Sequence, residues 1–250
     1  MPDKELDGRV AIVTGAARNI GGAIALELAA AGAAVVVNAR TSGAEAEALA
    51  REIEAGGGRA LAFVADVTDE AAVGRMAAAA LARFGRIDIL VNNAAVRPAR
   101  PFEEMTLAEW RDILAVILDG AFICAKACLP QLRASGSGAI VNIGGLTAHK
   151  GAPGRAHVVT AKAGLVGLTR ALAHDLAADK VTVNCVSPGR IATTRRAHAL
   201  APTQHDLHRT LSGDTGTPAD IAATVRFLCG PGARYITGQT IQVNGGAYLG

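Results

Sequence analysis

Residues 139–169 read AIVNIGGLTAHKGAPGRAHVVTAKAGLVGLT, and this stretch predicts a strand, a loop and a helix in succession. The apolar run Ala139–Ile143 is typical of a buried strand. Residues 144–154 are polar and rich in glycine, which predicts a loop. On the helix that follows, side chains three and four positions apart share a face, so Lys162 lies among apolar neighbours such as Val158. Because an ammonium group in apolar surroundings needs a polar partner, we expect a functional site around Lys162.

Strands and helices alternate along the chain. Apolar runs predict strands at residues 9–13, 34–37, 60–64, 87–91, 139–143, 181–186 and 240–243. The segments between them predict helices at residues 21–31, 43–55, 69–84, 106–132, 156–177 and 218–228. The strands are continuously apolar, which indicates a parallel sheet covered on both faces. We therefore expect one α/β domain over residues 1–250, a Rossmann-type doubly wound parallel sheet of about seven strands with helices on both faces.

The composition argues against several classes of protein. Apolar residues make up 50% of the 250 residues, and the formal net charge of +3 is far below that of a nucleic-acid-binding domain. No run of 18 apolar residues is present, which argues against a membrane span. The N-terminal residues lack the apolar core of a signal peptide, and the cysteines form no CxxC pair, so we expect a cytoplasmic protein with reduced thiols. No spacing typical of metal ligands is found either.

One segment, residues 191–217, interrupts the alternation of strands and helices. It is polar and basic, which predicts a flap over a site. Its basic residues include Arg195, Arg196, His198, His205, His208 and Arg209. Such a flap can capture a carboxylate or a phosphate, as can Arg97 and Arg100 on the same rim. We expect a small-molecule substrate, with an anionic group as one option, although a solvated charged loop fits the pattern equally well.

The turn after the first predicted strand is a candidate phosphate site. Residues 14–22 read TGAARNIGG and join a strand to the first helix of a β-α-β unit. Glycine lets the backbone approach a pyrophosphate, and a helix N-terminus offers free N–H groups and a positive dipole end. A simple strand–helix turn is the alternative, but this context favours a dinucleotide site that includes Gly15, Ile20 and Gly21.

The end of the second predicted strand indicates which dinucleotide is bound. A carboxylate is expected there when a free ribose 2′-hydroxyl is recognised, but the chain has Asn38, Ala39 and Arg40. Arg40, together with Arg18 from the glycine-rich turn, suits a 2′-phosphate through charge and forked hydrogen bonds. Either arginine could simply be solvated, but together they predict NADP(H) rather than NAD(H) as the cofactor.

With these motifs the chain resembles the short-chain dehydrogenase/reductase family, close to its 3-oxoacyl-carrier-protein reductase type. The resemblance covers nearly the whole length and is carried by residues 14–21, Asp66-Val67, Asn92-Asn93-Ala94, Lys162, Pro188-Gly189, Ile191, Thr193, and residues 235–239 and 243–246. It implies that Asp66 and Val67 hold the adenine and that Asn93 supports the adenosine ribose and the sheet. It implies further contacts between the nicotinamide half of the cofactor and Lys162, Pro188, Gly189, Ile191 and Thr193. A homotetramer, formed partly through the two long predicted helices, is also implied.

Several positions depart from the family pattern. Asn19 stands where the second glycine of the turn is usual, and asparagine tolerates a positive φ better than other residues with side chains. Val158 replaces the family's catalytic tyrosine, Gly145 its serine and Ile117 its asparagine. Because Val158 cannot donate a proton and Gly145 has no hydroxyl, carbonyl reduction loses its acid and its polarising group. Of the four catalytic residues that the resemblance implies, only Lys162 remains.

Two histidines near these positions are candidate replacements. His157 adjoins Val158 but lies about 100° round the helix from it, and His149 follows Gly145 by four residues. Since a histidine can donate or accept a proton near neutral pH, we name Lys162, His157 and His149 as candidate catalytic residues. Each histidine could equally be a solvated or structural residue.

Three functions remain open at this point. The first is an NADP(H)-dependent oxidoreductase whose substrate, such as an imine or iminium ion, barely needs the missing proton. The second is a non-redox enzyme on the same scaffold that uses the histidines for acid–base chemistry. The third is a nucleotide-binding pseudoenzyme or sensor subunit. We favour the first function because the sequence contains the predicted cofactor motifs, from the glycine-rich turn to Thr193.

Overall fold

A computed structural model describes residues 4–194 and 209–250 of the chain. The strands are β1 (Val10–Val13), β2 (Ala34–Ala39), β3 (Arg59–Val64), β4 (Ile89–Asn92), β5 (Ala139–Ile143), β6 (Thr182–Pro188) and β7 (Thr240–Val243). The helices are α1 (Asn19–Ala30), α2 (Gly43–Ala55), α3 (Glu70–Phe84), α4 (Leu107–Leu114), α5 (Gly120–Ala134), α6 (Thr147–Lys150), α7 (Ala156–Asp175) and α8 (Pro218–Cys229).

The strands form one parallel sheet in the order β3-β2-β1-β4-β5-β6-β7. In this register Val13 of β1 pairs with Val37 of β2 on one side and with Val91 of β4 on the other. The strand order therefore reverses between β1 and β4, and their carboxyl ends border the crevice where open α/β sheets bind ligands. The predicted doubly wound parallel sheet of about seven strands is confirmed.

Both faces of the sheet are covered by helices, which explains why its strands are continuously apolar. Successive strand residues point to opposite faces, so Val13 packs with α1, α2 and α8 while Ile12 packs with α3 and α5. The first face includes Ile24 of α1 and Val225 of α8, and the second includes Met76 of α3.

The long helix predicted at residues 106–132 is interrupted in the structure. Residues Ala115–Asp119, between α4 and α5, form a π-helical turn that contains the buried Ile117. The helix begins at a capping box, because the Thr106 hydroxyl accepts from the Glu109 N–H at 3.2 Å and the Glu109 carboxylate accepts from the Thr106 N–H at 2.8 Å. A π turn adds one residue without changing the apolar character of a helix, so the sequence pattern does not reveal it.

A short helix, α6, lies within the segment predicted as a loop at residues 144–154. It has a single turn, which is too short for a helical period to be recognised. The preceding Leu146 is 4% exposed, so the turn is fixed to the core by a buried side chain.

The predicted flap is described only at its two ends. Ile191 forms an isolated parallel bridge with Gly216, and the Ala192 N–H donates to the Gly216 carbonyl at 2.8 Å. Arg195, Arg196, His198, His205 and His208 lie outside the described residues, so the flap over residues 191–217 stays a prediction.

Taken together, α4, the π turn and α5 form a helical stretch, Leu107–Ala134, with the length and composition to cross a membrane, at a mean hydropathy of 1.9 over its most apolar window. It is the only such helix in the described part of the chain. Cys124, Cys128 and Leu132 on this helix are fully buried against the sheet. A core helix passes the same test, and 39% of this apolar window is buried within the structure.

Candidate functional site

The glycine-rich turn after β1 is tied to the end of β4 by side-chain hydrogen bonds. The Thr14 hydroxyl accepts from the backbone N–H groups of Asn93 and Ala94, both at 3.0 Å. The Asn93 amide donates to the carbonyls of Thr14 and Gly15 at 2.9 and 3.0 Å. Asn93 therefore fixes the glycine-rich turn against the edge of the sheet. The resemblance implied only that Asn93 supports the adenosine ribose and the sheet.

The same turn excludes side chains at its glycines and leaves backbone donors free. A Cβ on Gly21 would lie 2.5 Å from both the Asn93 amide nitrogen and the Gly15 carbonyl oxygen, and Gly15 has φ +60°. Within residues 4–194 and 209–250, no acceptor faces the N–H groups of Asn19, Ile20 and Gly21 at the start of α1. Three free N–H groups at a helix N-terminus suit a phosphate, so this turn fits the pyrophosphate of a dinucleotide.

Asn19 adopts the positive φ that the sequence predicts, at +53°. Its side-chain oxygen accepts from the N–H and the hydroxyl of Thr194, at 3.0 and 2.9 Å. The turn after β1 is thus joined to the segment after β6, a contact that the sequence did not predict.

The Asn38 side chain, at the end of β2, supports the glycine-rich turn after β1. The Asn38 amide donates to the carbonyls of Phe63 and Ala65 at 3.3 and 3.1 Å, and its oxygen accepts from the Gly15 N–H at 3.2 Å. This buried amide joins β1, β2 and β3 at their carboxyl ends.

The two arginines assigned to a 2′-phosphate have different surroundings. Arg18 forms an ion pair with Glu45 in the first turn of α2, with 2.8 Å between Nη1 and Oε2. Arg40 is exposed, and no described residue pairs with it. The sequence did not predict this ion pair, because Glu45 lies on the helix beyond the end of β2.

The candidate adenine residues lie at the end of β3. One oxygen of Asp66 accepts from the N–H and the hydroxyl of Thr68, at 3.0 and 2.8 Å. Its other oxygen has no partner in the described part of the chain. The neighbouring Val67 is 5% exposed and packs closely against Gly120.

The segment after β6 is held against the C-terminal residues. The Gly189 N–H donates to the Val243 carbonyl at 2.9 Å, and a Cβ on Gly189 would lie 2.6 Å from the Asn244 Cα. This close approach explains the glycine after Pro188, while Ile191 and Thr193 further along are half-buried.

Lys162 is buried, with 4% of its surface exposed, and its Nζ donates to the Ile143 carbonyl. Burial, and next the positive charge of Arg97, lowers the pKa of Lys162 to about 7, against an opposing effect of Cys185. The amine can therefore change its protonation state near neutral pH.

Val158 and Ile117, which the resemblance predicts at the tyrosine and asparagine positions of the family, belong to one apolar cluster. Its buried members are Ile113, Ile117, Ala121, Val158, Ala161 and Leu165. Gly145, at the serine position, has nothing within 4 Å of an added Cβ. The space around Lys162 thus combines an apolar wall with an open position at Gly145.

The candidate histidines are not brought into contact with Lys162. His157 is fully buried, and its Nε2 has no hydrogen-bond partner among the described residues. Burial lowers its pKa, while a hydrogen bond with the Arg155 backbone and the charge of Glu109 on α4 act in the opposite direction. This side chain therefore lies within the electrostatic reach of α4.

His149 stacks on Tyr248, with 5.2 Å between the ring centroids. Its Nε2 is also buried without a partner among the described residues, and burial together with the charge of Arg170 lowers its pKa. The adjacent Lys150 donates to the Ala247 carbonyl at 2.9 Å. The C-terminal residues thus cover α6. No pattern in the sequence predicted these contacts.

The basic rim is partly neutralised. Arg100 pairs with Glu104 and with Glu109, each at 3.3 Å. In the described ranges, no group of three or more histidine, cysteine, aspartate or glutamate side chains is arranged to hold a metal ion.

The fold and the turn agree with a known family. Residues 15–248 match the family described as Enoyl-(Acyl carrier protein) reductase. The chain is also 42% identical over 245 residues to a 3-oxoacyl-(acyl-carrier-protein) reductase of Synechocystis sp., with 98% of each chain covered. The chain belongs to the short-chain dehydrogenase/reductase family.

Other members of this family are similarly close. A 3-oxoacyl-(acyl-carrier-protein) reductase FabG of Staphylococcus aureus is 42% identical over 246 residues, which cover 96% of this chain and 98% of the relative. A crystal structure of a dehydrogenase/reductase from Sinorhizobium meliloti superposes with a TM-score of 0.93 at 36% identity, covering 99% of this chain and 98% of that one. A short-chain dehydrogenase/reductase from Serratia marcescens gives a TM-score of 0.90 at 36% identity, with coverage of 98% and 100%. Membership of this short-chain family implies an oxidoreductase scaffold with a nicotinamide cofactor.

Proposed function

We propose that the protein is an NADP(H)-dependent oxidoreductase with a non-standard catalytic site, which acts on an imine or another unusual carbonyl-derived substrate. One observation carries this proposal: Val158 and Ile117 form an apolar wall beside the buried Lys162, while the phosphate turn keeps its free N–H groups. The cofactor half of the site is complete, and the usual proton-donating half is absent.

The residues that would hold the cofactor follow from the turn and the strand ends. Gly15, Asn19, Ile20 and Gly21 would hold the pyrophosphate, and Asp66, Val67 and Asn93 the adenosine half. Lys162, Pro188, Gly189, Ile191 and Thr193 would surround the nicotinamide half. Exposed Arg40 supports a preference for a 2′-phosphate, and Arg18 would contribute only when its ion pair with Glu45 opens. When bound, the nicotinamide supplies or accepts the equivalent of a hydride.

The surroundings of Lys162 favour a substrate that carries its own proton. Reduction of a ketone leaves an alkoxide, which must be stabilised and protonated by the protein. An iminium ion is already protonated, and its reduction gives a neutral amine without an alkoxide. An apolar wall with an open position at Gly145 suits the second reaction better than the first.

A neutral imine must first take up a proton to become an iminium ion, and we assign that proton to Lys162, with His149 and His157 as further candidates. A pKa of about 7 lets the Lys162 amine hold or release a proton at neutral pH. The two histidines would need movement of α6 or α7 to reach the same space, because His149 stacks on Tyr248 and His157 is enclosed beside α4.

The first experiment follows NADPH absorbance with the purified protein and a panel of ketones, aldehydes and preformed cyclic iminium ions. We expect iminium reduction, with ketone reduction at least about 100-fold slower. The triple variant G145S/V158Y/I117N restores the family's acid and polarising group and is expected to raise ketone reduction by about 100-fold or more. The double variant G145S/I117N lacks only the tyrosine and is the matched control.

The other two candidate functions give different results in the same experiment. Tight NADPH binding without turnover of any panel member would identify a nucleotide-binding pseudoenzyme or sensor. Consumption of a substrate at constant NADPH absorbance would identify a non-redox enzyme. Ketone reduction by the unmodified protein at the rate of iminium reduction would contradict the proposal.

We also propose a cytoplasmic homotetramer with a small-molecule substrate, and with an anionic group on that substrate as one option. The four cysteines are free and buried, as suits a reducing compartment. Arg100 gives little support to an anionic group on the substrate, since its guanidinium is paired with two carboxylates. We propose neither a nucleic acid nor a membrane as a partner of the protein.

A further inference from the structure

The hydrogen bonds between Asn19 and Thr194 join parts of the chain that are 175 residues apart. The Asn19 side-chain oxygen accepts two of them, from the N–H and the hydroxyl of Thr194 at 3.0 and 2.9 Å. A third, longer contact runs from the Asn19 amide to the Thr194 carbonyl at 3.4 Å. A glycine, which the family pattern has at this position, could make none of these side-chain bonds.

The order of strands gives the distance across the sheet that separates Thr194 from the turn after β1. Thr194 follows β6, and β6 is separated from β1 by β4 and β5 in the sheet. With neighbouring strands about 4.8 Å apart, the segment after β6 returns across about 14 Å to reach the turn after β1. Its two ends lie on either side of β4 and β5, at the edge of the sheet that carries the crevice beside the reversal of strand order.

The returning segment is anchored at both ends of its described part. The Gly189 N–H bonds to the Val243 carbonyl at 2.9 Å, and Ile191 bridges to Gly216. Asn19 then fixes residue 194 to the first residue of α1, whose own N–H faces the phosphate position. The Asn19 side chain thus closes a bridge over the place where the pyrophosphate of the dinucleotide would lie.

We propose that Asn19 is a positioning residue that retains the bound dinucleotide, by fixing Thr194 over the pyrophosphate and slowing its release. This inference rests on the proposed dinucleotide-binding function. The retention is independent of the 2′-phosphate, since the bonds of Asn19 are to Thr194 at the pyrophosphate end. It acts on the rate of dissociation, because the bridge must open before the cofactor leaves.

The test measures dissociation of NADPH and of NADH by stopped-flow displacement, using nicotinamide fluorescence. N19G removes all three bonds and relieves the positive φ, so the variant keeps its fold. We expect its dissociation to be about tenfold faster for both dinucleotides. T194V loses the hydroxyl but keeps the backbone N–H, and an intermediate effect is expected. T194S keeps both donors and is expected to retain slow dissociation.

The double variant N19G/T194V separates retention from a general loosening of the loop. If the two residues act through one bridge, the double variant dissociates no faster than N19G alone. Dissociation from N19G within twofold of the unmodified rate, or additive effects of the two changes, would overturn the inference. A protein that binds neither NADPH nor NADH would overturn the proposed function as well, so the two failures are distinguishable.

Discussion

The Lys162 amine lies in a buried position, where its positive charge is disfavoured. Its folded pKa of about 7 lies below the ordinary value of 10.5, so the unfolded chain binds more protons between these two values. The free energy of unfolding therefore rises with pH in this window, by at most about 1.4 kcal/mol per pH unit from this group. Below pH 7 both states are protonated, and the cost of the buried charge is complete.

Replacing this amine with an apolar side chain tests the assignment. We expect K162M to be more stable relative to the unmodified protein at about pH 6 than at about pH 9.5, because methionine removes the buried charge and its pH dependence. Urea unfolding at both pH values, without cofactor, measures the difference. In the folded protein, burial raises the pKa of the Cys185 thiol to about 11, above this window, and its ionisation in the unfolded chain is common to both proteins. A stability difference that is the same at both pH values would contradict a depressed pKa.

Single residues were predictable where the constraint is local. The positive φ of Asn19 and the need for glycine at positions 15 and 21 follow from the chemistry of one turn. The contacts Asn19–Thr194 and His149–Tyr248 were not predictable, because each joins distant segments whose approach depends on the whole sheet. A sequence pattern identifies which residues a turn tolerates, and tertiary packing decides what their side chains contact.

At the scale of secondary-structure elements, apolar runs located the strands because both faces of the sheet are buried. The predicted strands Ala139–Ile143 and Thr240–Val243 and the predicted helix Gly43–Ala55 match the structure at both ends. The π turn Ala115–Asp119 and the single-turn helix α6 were missed. Both are deviations within short stretches, where the hydrophobic period carries no information.

Arg18, one of the two arginines assigned to NADP(H), is held in an ion pair with Glu45 at the start of α2. We expect E45Q to release Arg18 and to tighten NADPH binding by up to about fivefold, with NADH binding unchanged, since an exposed pair contributes at most about 1 kcal/mol. R40D is expected to weaken NADPH binding by about tenfold or more, through charge repulsion of the 2′-phosphate.

Fluorescence titration with both dinucleotides measures these affinities. E47Q is the matched control, because Glu47 lies on the same helix and faces Arg51 at 3.9 Å instead. Equal effects of E45Q and E47Q would remove Arg18 from the 2′-phosphate site. Unchanged NADPH binding in R40D would show that the assignment of Arg40 is wrong.

At the scale of the whole molecule, the order of strands places the site. Alternating strands and helices with parallel pairing leave few topologies, because the crossovers share one hand. The carboxyl ends of several strands meet at the edge of the sheet beside the crevice between β1 and β4, and most of the residues predicted to hold the cofactor follow these strand ends. A proton-donating group was not predictable from the sequence, since Val158, Gly145 and Ile117 offer no side-chain donor.

The outer surface of the long helix, together with the short 3-10 helix Phe102–Glu104 before it, favours assembly into a larger particle. Phe102, Leu107 and Phe122 are 74%, 60% and 50% exposed, which is unusual for a chain with so few aromatic residues. On α7, the exposed residues Ala163 and Gly167 are four positions apart and present a flat surface to an approaching helix. These features support association of identical chains through α4, α5 and α7.

Light scattering after size-exclusion chromatography tests this assembly. We expect the unmodified protein to run at four chain masses and F122E to run as a smaller species, because burying the introduced carboxylate in an apolar interface is costly. F122L keeps an apolar side chain and is expected to keep the tetramer. R75E, an exposed charge reversal on α3, is the control for a change of net charge away from this surface. If F122E and R75E both remain tetrameric, the contact lies on another surface, and the exposed side chains of α4 and α5 need a different explanation.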